Sequence, residues 1–217
     1  MMENNGLMCK TLISIAIFLD LLELMLIWLF STGRLETFDH TLREALLALD
    51  PPSAVSLWRG ITFLGSGFVI TALTVVSIVV FALRAEWQAL KYLVVAMIGA
   101  VIIDTGLKTI VHRARPPEVF ANTMPSSYSF PSGHALFAFV FYLSVAMIVA
   151  PRLNGIARAT FWSVAVLLVV LIGASRLFLG VHYPTDVLGG YIAGAFWLSV
   201  VQLSLPRNPY ASGWSSR

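Results

Sequence analysis

Three short strings carry residue types that could do chemistry: KTIVHRARP at 108–116, PSGH at 131–134 and SRLFLGVHYPTD at 175–186. Among their residues are cations suited to a phosphoryl group, the histidines His134 and His182 and the aspartate Asp186, a set that serves phosphoryl transfer through an imidazole. Lys108 and Arg115 are seven residues apart, about two helical turns, so on a continuous helix both would point the same way and meet one anion. Arg115 precedes Pro116 and Pro117, which end a helix and set the following turn. Alone, this string reads better as two cations snorkelling at the end of a membrane span.

In PSGH, Pro131 and Ser132 stand where a helix would begin, and the free N–H groups and dipole of a helix start favour an anion. Gly133 lets a phosphate approach the backbone closely, and His134 would stand beside the bound group, placed to protonate a departing oxygen. Alone, it reads equally as a turn with an incidental histidine. In the third string Ser175 and Arg176 close an apolar run. The planar guanidinium of Arg176 can hold two phosphoryl oxygens at once. His182 follows, and Pro184 suits the first turn of a further helix that would carry Asp186. An aspartate at this spacing can bind one ring nitrogen of the histidine, fix its tautomer, leave the other nitrogen free to attack and stabilise the resulting imidazolium. Such a pair is often only structural; the other phosphate-competent residues turn the reading toward function.

Each string borders a long apolar run. Of 217 residues, 58% are hydrophobic and 12% charged, too apolar for a soluble domain of this length. A net charge of +3, with basic residues scattered or tied to the strings, argues against a nucleic-acid surface. Cys9 is the only cysteine, which excludes an internal disulfide and a thiolate metal cluster. Six runs, at 11–30, 61–83, 89–111, 132–150, 160–179 and 186–205, approach the roughly 20 residues a spanning helix needs. The first is long enough to span and lacks an A-x-A cleavage site, so it reads as an uncleaved first span and not as a signal peptide. Backbone groups in lipid must be satisfied internally. The expected fold is therefore all-α, a polytopic membrane protein with six transmembrane helices in one bundle and residues 1–217 as a single domain.

An even number of spans puts both termini on one side. That side, with the loops after spans two and four, holds Lys10, Arg84, Lys91, Arg152, Arg158, Arg207 and Arg217. Leaving out Lys108, Arg115 and Arg176, which the strings explain, the other side holds Arg34, Arg43, Arg59 and Arg113. The excess favours cytoplasmic termini. All three strings then fall on the extracytoplasmic face, at the ends of spans three to six.

Between spans one and two, Leu35, Phe38, Leu42, Leu46 and Leu49 recur at helical spacing among Arg34, Glu36, Asp39, Arg43 and Glu44, until Pro51 and Pro52 stop the pattern. This predicts an interfacial amphipathic helix that either guides lipid inward beside the site or caps the bundle. Asp20 and Glu23 lie on one face inside span one; they read as protonated or hydrogen-bonded within the bundle, ahead of a cation or proton site. Asp104 precedes Lys108 by one turn and is expected to steady it. Gly190 and Gly194 suit close packing inside the bundle more than dimerisation. His112 and Arg113 have no role on this reading and are expected at the surface.

The strings, in order and with intact internal spacing, resemble the three-part signature of the type 2 phosphatidic acid phosphatase superfamily, which includes membrane lipid phosphatases, glucose-6-phosphatase and the vanadium haloperoxidases. The six-span layout resembles its small bacterial membrane branch. The resemblance implies that His182 is a nucleophile forming a phosphohistidine, that Asp186 orients it, and that His134 is general acid and then general base. It implies that Lys108, Arg115, Ser132, Gly133 and Arg176 cradle the phosphoryl oxygens. It also implies hydrolysis of a lipid phosphate in the cytoplasmic membrane of the cell envelope, with undecaprenyl pyrophosphate or phosphatidylglycerophosphate ahead of phosphatidate and a lipid A phosphate.

No metal or other cofactor is expected, because fixed cations and helix-end amides supply the electrostatic stabilisation and no carboxylate cluster lies near the strings. The expected partners are the bilayer and its lipid phosphate, with no nucleic acid; oligomeric state is open. Alternatives are a lipid phosphotransferase on the same residues and, in another class, a small transporter using Asp20 and Glu23 with idle phosphatase strings.

Overall fold

The computed structural model describes residues 2–49, 52–117 and 127–205; Pro51, Arg207 and Arg217, used above, lie outside them. Among the described residues every regular element is a helix: α1 Met2–Ser31, α2 Glu36–Leu49, α3 Val55–Phe63, α4 Gly67–Leu83, α5 Trp87–Val111, α6 Gly133–Val149, α7 Gly155–Phe178 and α8 Pro184–Ser204, with short 3-10 turns at Pro52–Ala54 and Ala150–Arg152. Six stretches are long and apolar enough to cross a membrane. The expected class and span number are borne out.

Span two departs from the expectation of one continuous helix. It runs over Val55–Leu83 but breaks at residues 64–66, where Ser66 caps α4 by accepting from the Val69 amide at 3.3 Å. The break leaves Gly65 so close to α7 that a Cβ there would collide with Ile172, and the free Leu64 carbonyl accepts from the Tyr142 hydroxyl at 3.0 Å. The Gly-Ser-Gly run at 65–67 is the breaker signal that the apolar count overrode.

Helices α6 and α8 lie at the centre. α8 packs on α1, α5 and α6, and α6 also on α5 and α7. Lipid tails are as apolar as leucine, so helix association rests on close fit, which small residues permit. A Cβ at Gly190 would lie 2.8 Å from the Ser132 carbonyl, and one at Gly194 would lie 2.9 Å from the Phe139 ring. Both glycines serve packing within the bundle, as expected. The adjoining core is Ala96, Ala100, Leu136, Val140, Ala193 and Leu198.

Helix α2 forms where the periodicity predicts it, but its inward face is the unexpected one. Asp39 and Arg43 are buried, while Phe38 and Leu49 are 51% and 77% exposed. In a membrane protein the apolar stripe can face lipid, which frees the charged positions to turn inward. In span one, Glu23 is buried with neither oxygen hydrogen-bonded, so of the two expected states, protonated or hydrogen-bonded, the hydrogen-bonded one is not met for this residue. Asp20 and Glu23 do share one cavity between α1, α5 and α8.

Candidate active site

The C-terminal ends of α5 and α7 and the N-terminal ends of α6 and α8 come together at one end of the bundle. Lys108 sits in the last turn of α5, where Asp104 accepts from its ammonium with both oxygens at 2.6 and 2.8 Å, the expected pairing. The helix stops at His112, which adopts the left-handed conformation at φ 49°. Arg115 is therefore carried by the non-helical chain that follows. It reaches the site from the side and not two turns along the same helix as Lys108.

Ser132 caps α6 and Gly133 opens it. A Cβ on Gly133 would lie 3.1 Å from Asp104 Oδ1 and 3.2 Å from Lys108 Nζ, so the absence of a side chain lets the lysine approach the start of α6. The Ser132 amide donates to the Asp186 carbonyl at 2.9 Å, joining the second string to the third. Ser132 Oγ and Arg176 Nε are buried without hydrogen-bond partners, two groups that an oxyanion would satisfy. Arg176, near the end of α7, donates from Nη1 to Thr62 Oγ1 at 2.6 Å. Trp58 stacks on Phe178 at 4.4 Å, holding α3 against the same end of α7.

His182 is 2% exposed. Its Nδ1 lies 3.3 Å from Asp186 Oδ2, and its Nε2 lies 3.1 Å from Arg115 Nη1. A guanidinium can only donate, so Nε2 is the acceptor and Nδ1 carries the proton toward Asp186. Asp186 is fully buried, and its carboxylate is saturated. Oδ2 also accepts from Ser129 Oγ at 2.5 Å and the Tyr183 amide at 2.9 Å, and Oδ1 accepts from Arg113 Nη1 at 2.6 Å. Burial, reinforced by Arg176 and Arg115 and opposed by Asp186, holds the imidazole neutral, its pKa lowered to about 4. His134, in the first turn of α6, shares an electrostatic field with Arg176, His182, Arg115 and Lys108.

The expected site residues thus gather at one end of the bundle. Arg113 does not follow expectation. It is mostly buried, paired with Asp39 and Asp186 and held between the Phe30 and Tyr183 rings at 4.7 and 4.5 Å. Its neighbour His112 is exposed, as expected. Ser129 and Thr62 were also missed, because a hydroxyl just ahead of a histidine string, or in a distant apolar run, carries no local mark of its partner. Among the described residues, no three His, Cys, Asp or Glu side chains group as a metal-ligand set.

A bilayer-embedded enzyme acting on phosphate is the class that this fold and site define, and comparison with known proteins agrees. A sequence profile of the PAP2 superfamily matches residues 89–210. Phosphatidylglycerophosphatase B of Bacillus subtilis is 31% identical over 175 residues, 79% of this chain and 85% of that protein. An undecaprenyl-diphosphatase of Sulfolobus acidocaldarius is 27% identical over 52% of this chain and 53% of its own length. The crystal structure of the transmembrane PAP2-type phosphatidylglycerolphosphate phosphatase from Bacillus subtilis superposes with a TM-score of 0.77 at 29% identity, covering 86% of this chain and 94% of that one. This chain belongs to the PAP2 superfamily; it is a multi-pass membrane phosphatase of the lipid phosphatase kind.

Proposed function

We propose that the protein removes a terminal phosphoryl group from a membrane lipid through a covalent phosphohistidine on His182. The orientation of His182 carries this reading: Nδ1 faces Asp186 and Nε2 faces Arg115, leaving a lone pair on Nε2 in a cationic surround. Nε2 attacks phosphorus as the bond to the leaving oxygen breaks, and His134 gives that oxygen its proton. Water then attacks phosphorus, the P–N bond breaks, His134 takes the proton from water, and phosphate departs. Lys108, Arg115, Arg176, the Ser132 hydroxyl and the amides at the start of α6 hold the phosphoryl oxygens, so developing charge meets fixed donors. Those donors do the work a metal ion does in other phosphoryl-transfer enzymes.

The substrate proposed is phosphatidylglycerophosphate or a polyprenyl diphosphate, supported by the names of the two relatives. A site built from helix ends suits such lipids, because the tails stay in the bilayer while the head group reaches the cations. The excess of basic residues on the termini side supports a site on the extracytoplasmic face of the cytoplasmic membrane. Phosphate release from a panel of phosphatidylglycerophosphate, polyprenyl diphosphate, phosphatidate and lipid A phosphate, with glycerol 3-phosphate as the soluble control, tests the reading in detergent. Wild-type protein is expected to favour one of the first two lipids and His182→Ala to release none. Equal turnover of the soluble control would overturn the lipid assignment, and activity in His182→Ala would overturn the mechanism.

A further inference from the structure

Asp39 lies on α2, far before the first string in the sequence, yet it is fully buried and its carboxylate is spent on the site. Oδ2 accepts from Arg113 Nη2 at 2.5 Å and from Thr185 Oγ1 at 2.6 Å, and Oδ1 accepts from the Thr185 amide at 3.1 Å. The other arm of Arg113 donates to Thr185 Oγ1 at 2.7 Å and to Asp186 Oδ1 at 2.6 Å. One turn along α2, Arg43 donates to the Pro117 carbonyl at 2.5 Å and the Gly180 carbonyl at 3.2 Å. It thereby ties the chain after the first string to the loop before His182.

We propose that Asp39 is a positioning residue for the nucleophile, acting through Arg113 on Asp186, and that α2 is thereby a working part of the active site. The inference rests on His182 being the nucleophile. Buried charges need partners, and here they alternate: Asp39 negative, Arg113 positive, Asp186 negative, His182 neutral. When His182 becomes a phosphohistidinium, the set reaches balance. Asp39 takes one arm of the guanidinium, so Arg113 orients Asp186 without neutralising it, and the remaining negative field of Asp186 falls on His182. Without Asp39, Arg113 would quench Asp186; without Arg113, two buried carboxylates would face each other.

The groups bearing on His182 from the packed elements are Asp186 on α8, Arg113 and Arg115 after α5, Arg176 on α7 and His134 on α6, with Arg43 of α2 on the Gly180 carbonyl. With the others unchanged, Asp39→Asn makes the surround more positive and Arg113→Gln more negative. The acid limb of kcat/KM is therefore expected to move to lower pH in Asp39→Asn and to higher pH in Arg113→Gln. The double variant restores the charge count and is expected to lie near wild type on the pH axis. Each single variant is expected to lose about ten- to hundredfold in kcat, the scale of a slightly misplaced reacting group, with KM within about twofold.

The experiment is the pH–rate profile of purified wild-type, both single variants and the double variant on a lipid phosphate, with His182→Ala as control. Equal kcat in Asp39→Asn and wild type, or limbs that move the same way, would overturn the inference; activity in His182→Ala would instead overturn the reading beneath it. Should Asp39→Asn not fold, Arg113→Lys carries the test. It keeps the charge but cannot hold both carboxylates in a fork, so kcat is expected to fall with the limb unmoved, and wild-type kcat would overturn the inference.

Discussion

Arg115 Nη1 lies 3.1 Å from His182 Nε2, so a guanidinium stands directly before the unprotonated ring nitrogen and donates to its lone pair. The contact sets the tautomer, and it puts a positive charge where the proposed mechanism brings the phosphoryl group. On the proposed mechanism the nucleophile and its electrostatic clamp meet at one point, and the first and third strings do meet there although 66 residues separate Arg115 from Val181, to whose carbonyl Arg115 also donates at 3.1 Å.

The pH dependence follows from that contact. Protonation of Nε2 removes the lone pair, and the imidazole resists protonation down to about pH 4. With kcat/KM reporting the free enzyme, activity on a lipid phosphate is expected to persist well below the ordinary histidine range and to fall as pH drops through about 4. Arg115→Gln removes one cation that holds the value down, so its acid limb is expected at higher pH, with a raised KM. A wild-type limb at the ordinary histidine value would contradict this.

Lys108 is gripped by Asp104 through both carboxylate oxygens, beside the glycine that opens α6. Lys108→Met is expected to lower kcat/KM by about 10² to 10³, the usual cost of losing one fixed donor to transition-state charge. Asp104→Asn leaves the cation but frees its direction, and a smaller loss is expected. Steady-state kinetics on folded, detergent-purified variants measures both, and a near-wild-type Lys108→Met would remove the lysine from the cradle.

Packing under the site is tested by two glycines. A Cβ at Gly190 meets the backbone carbonyl of Ser132 at 2.8 Å, whereas one at Gly106 meets nothing within 4 Å. Gly190→Ala is expected to cost about 1–3 kcal/mol, as overpacking does, and to lower activity by displacing the start of α6. Gly106→Ala is expected to be neutral or slightly stabilising, because alanine is the better helix former. Thermal unfolding of the two variants in one detergent checks the contrast.

Fixed cations in place of a metal predict turnover unchanged by EDTA and inhibited by vanadate, which mimics the phosphoryl group. Phosphate release with chelator, with chelator plus magnesium, and with vanadate is the measurement. Loss of activity in EDTA with recovery on magnesium would contradict the mechanism.

Much of the site was legible because its residues sit in three dense strings whose spacing survives any fold: His182 and Asp186 are one turn apart, and so are Asp104 and Lys108. Spans were legible from length and apolarity alone. What escaped depends on tertiary contact. Arg113 looked like a surface cation because its two carboxylate partners lie 74 and 73 residues away. Asp39 and Arg43 looked like the solvated face of an amphipathic helix, since periodicity finds a stripe without saying whether lipid or protein covers it. The helical reading that aligned Arg115 with Lys108 failed at His112, where the chain turns out of the helix three residues too soon.

The central claim is a covalent bond from phosphorus to His182, and direct capture of that intermediate tests it most sharply. Wild-type protein mixed with a lipid carrying a radiolabelled terminal phosphate, denatured within the first turnover, is expected to retain a label that is stable to base, labile to acid and confined to the peptide containing His182. His182→Ala is expected to retain none. A label on His182→Ala, or turnover by wild type with no label on that peptide under conditions that preserve phosphoramidates, would contradict the account.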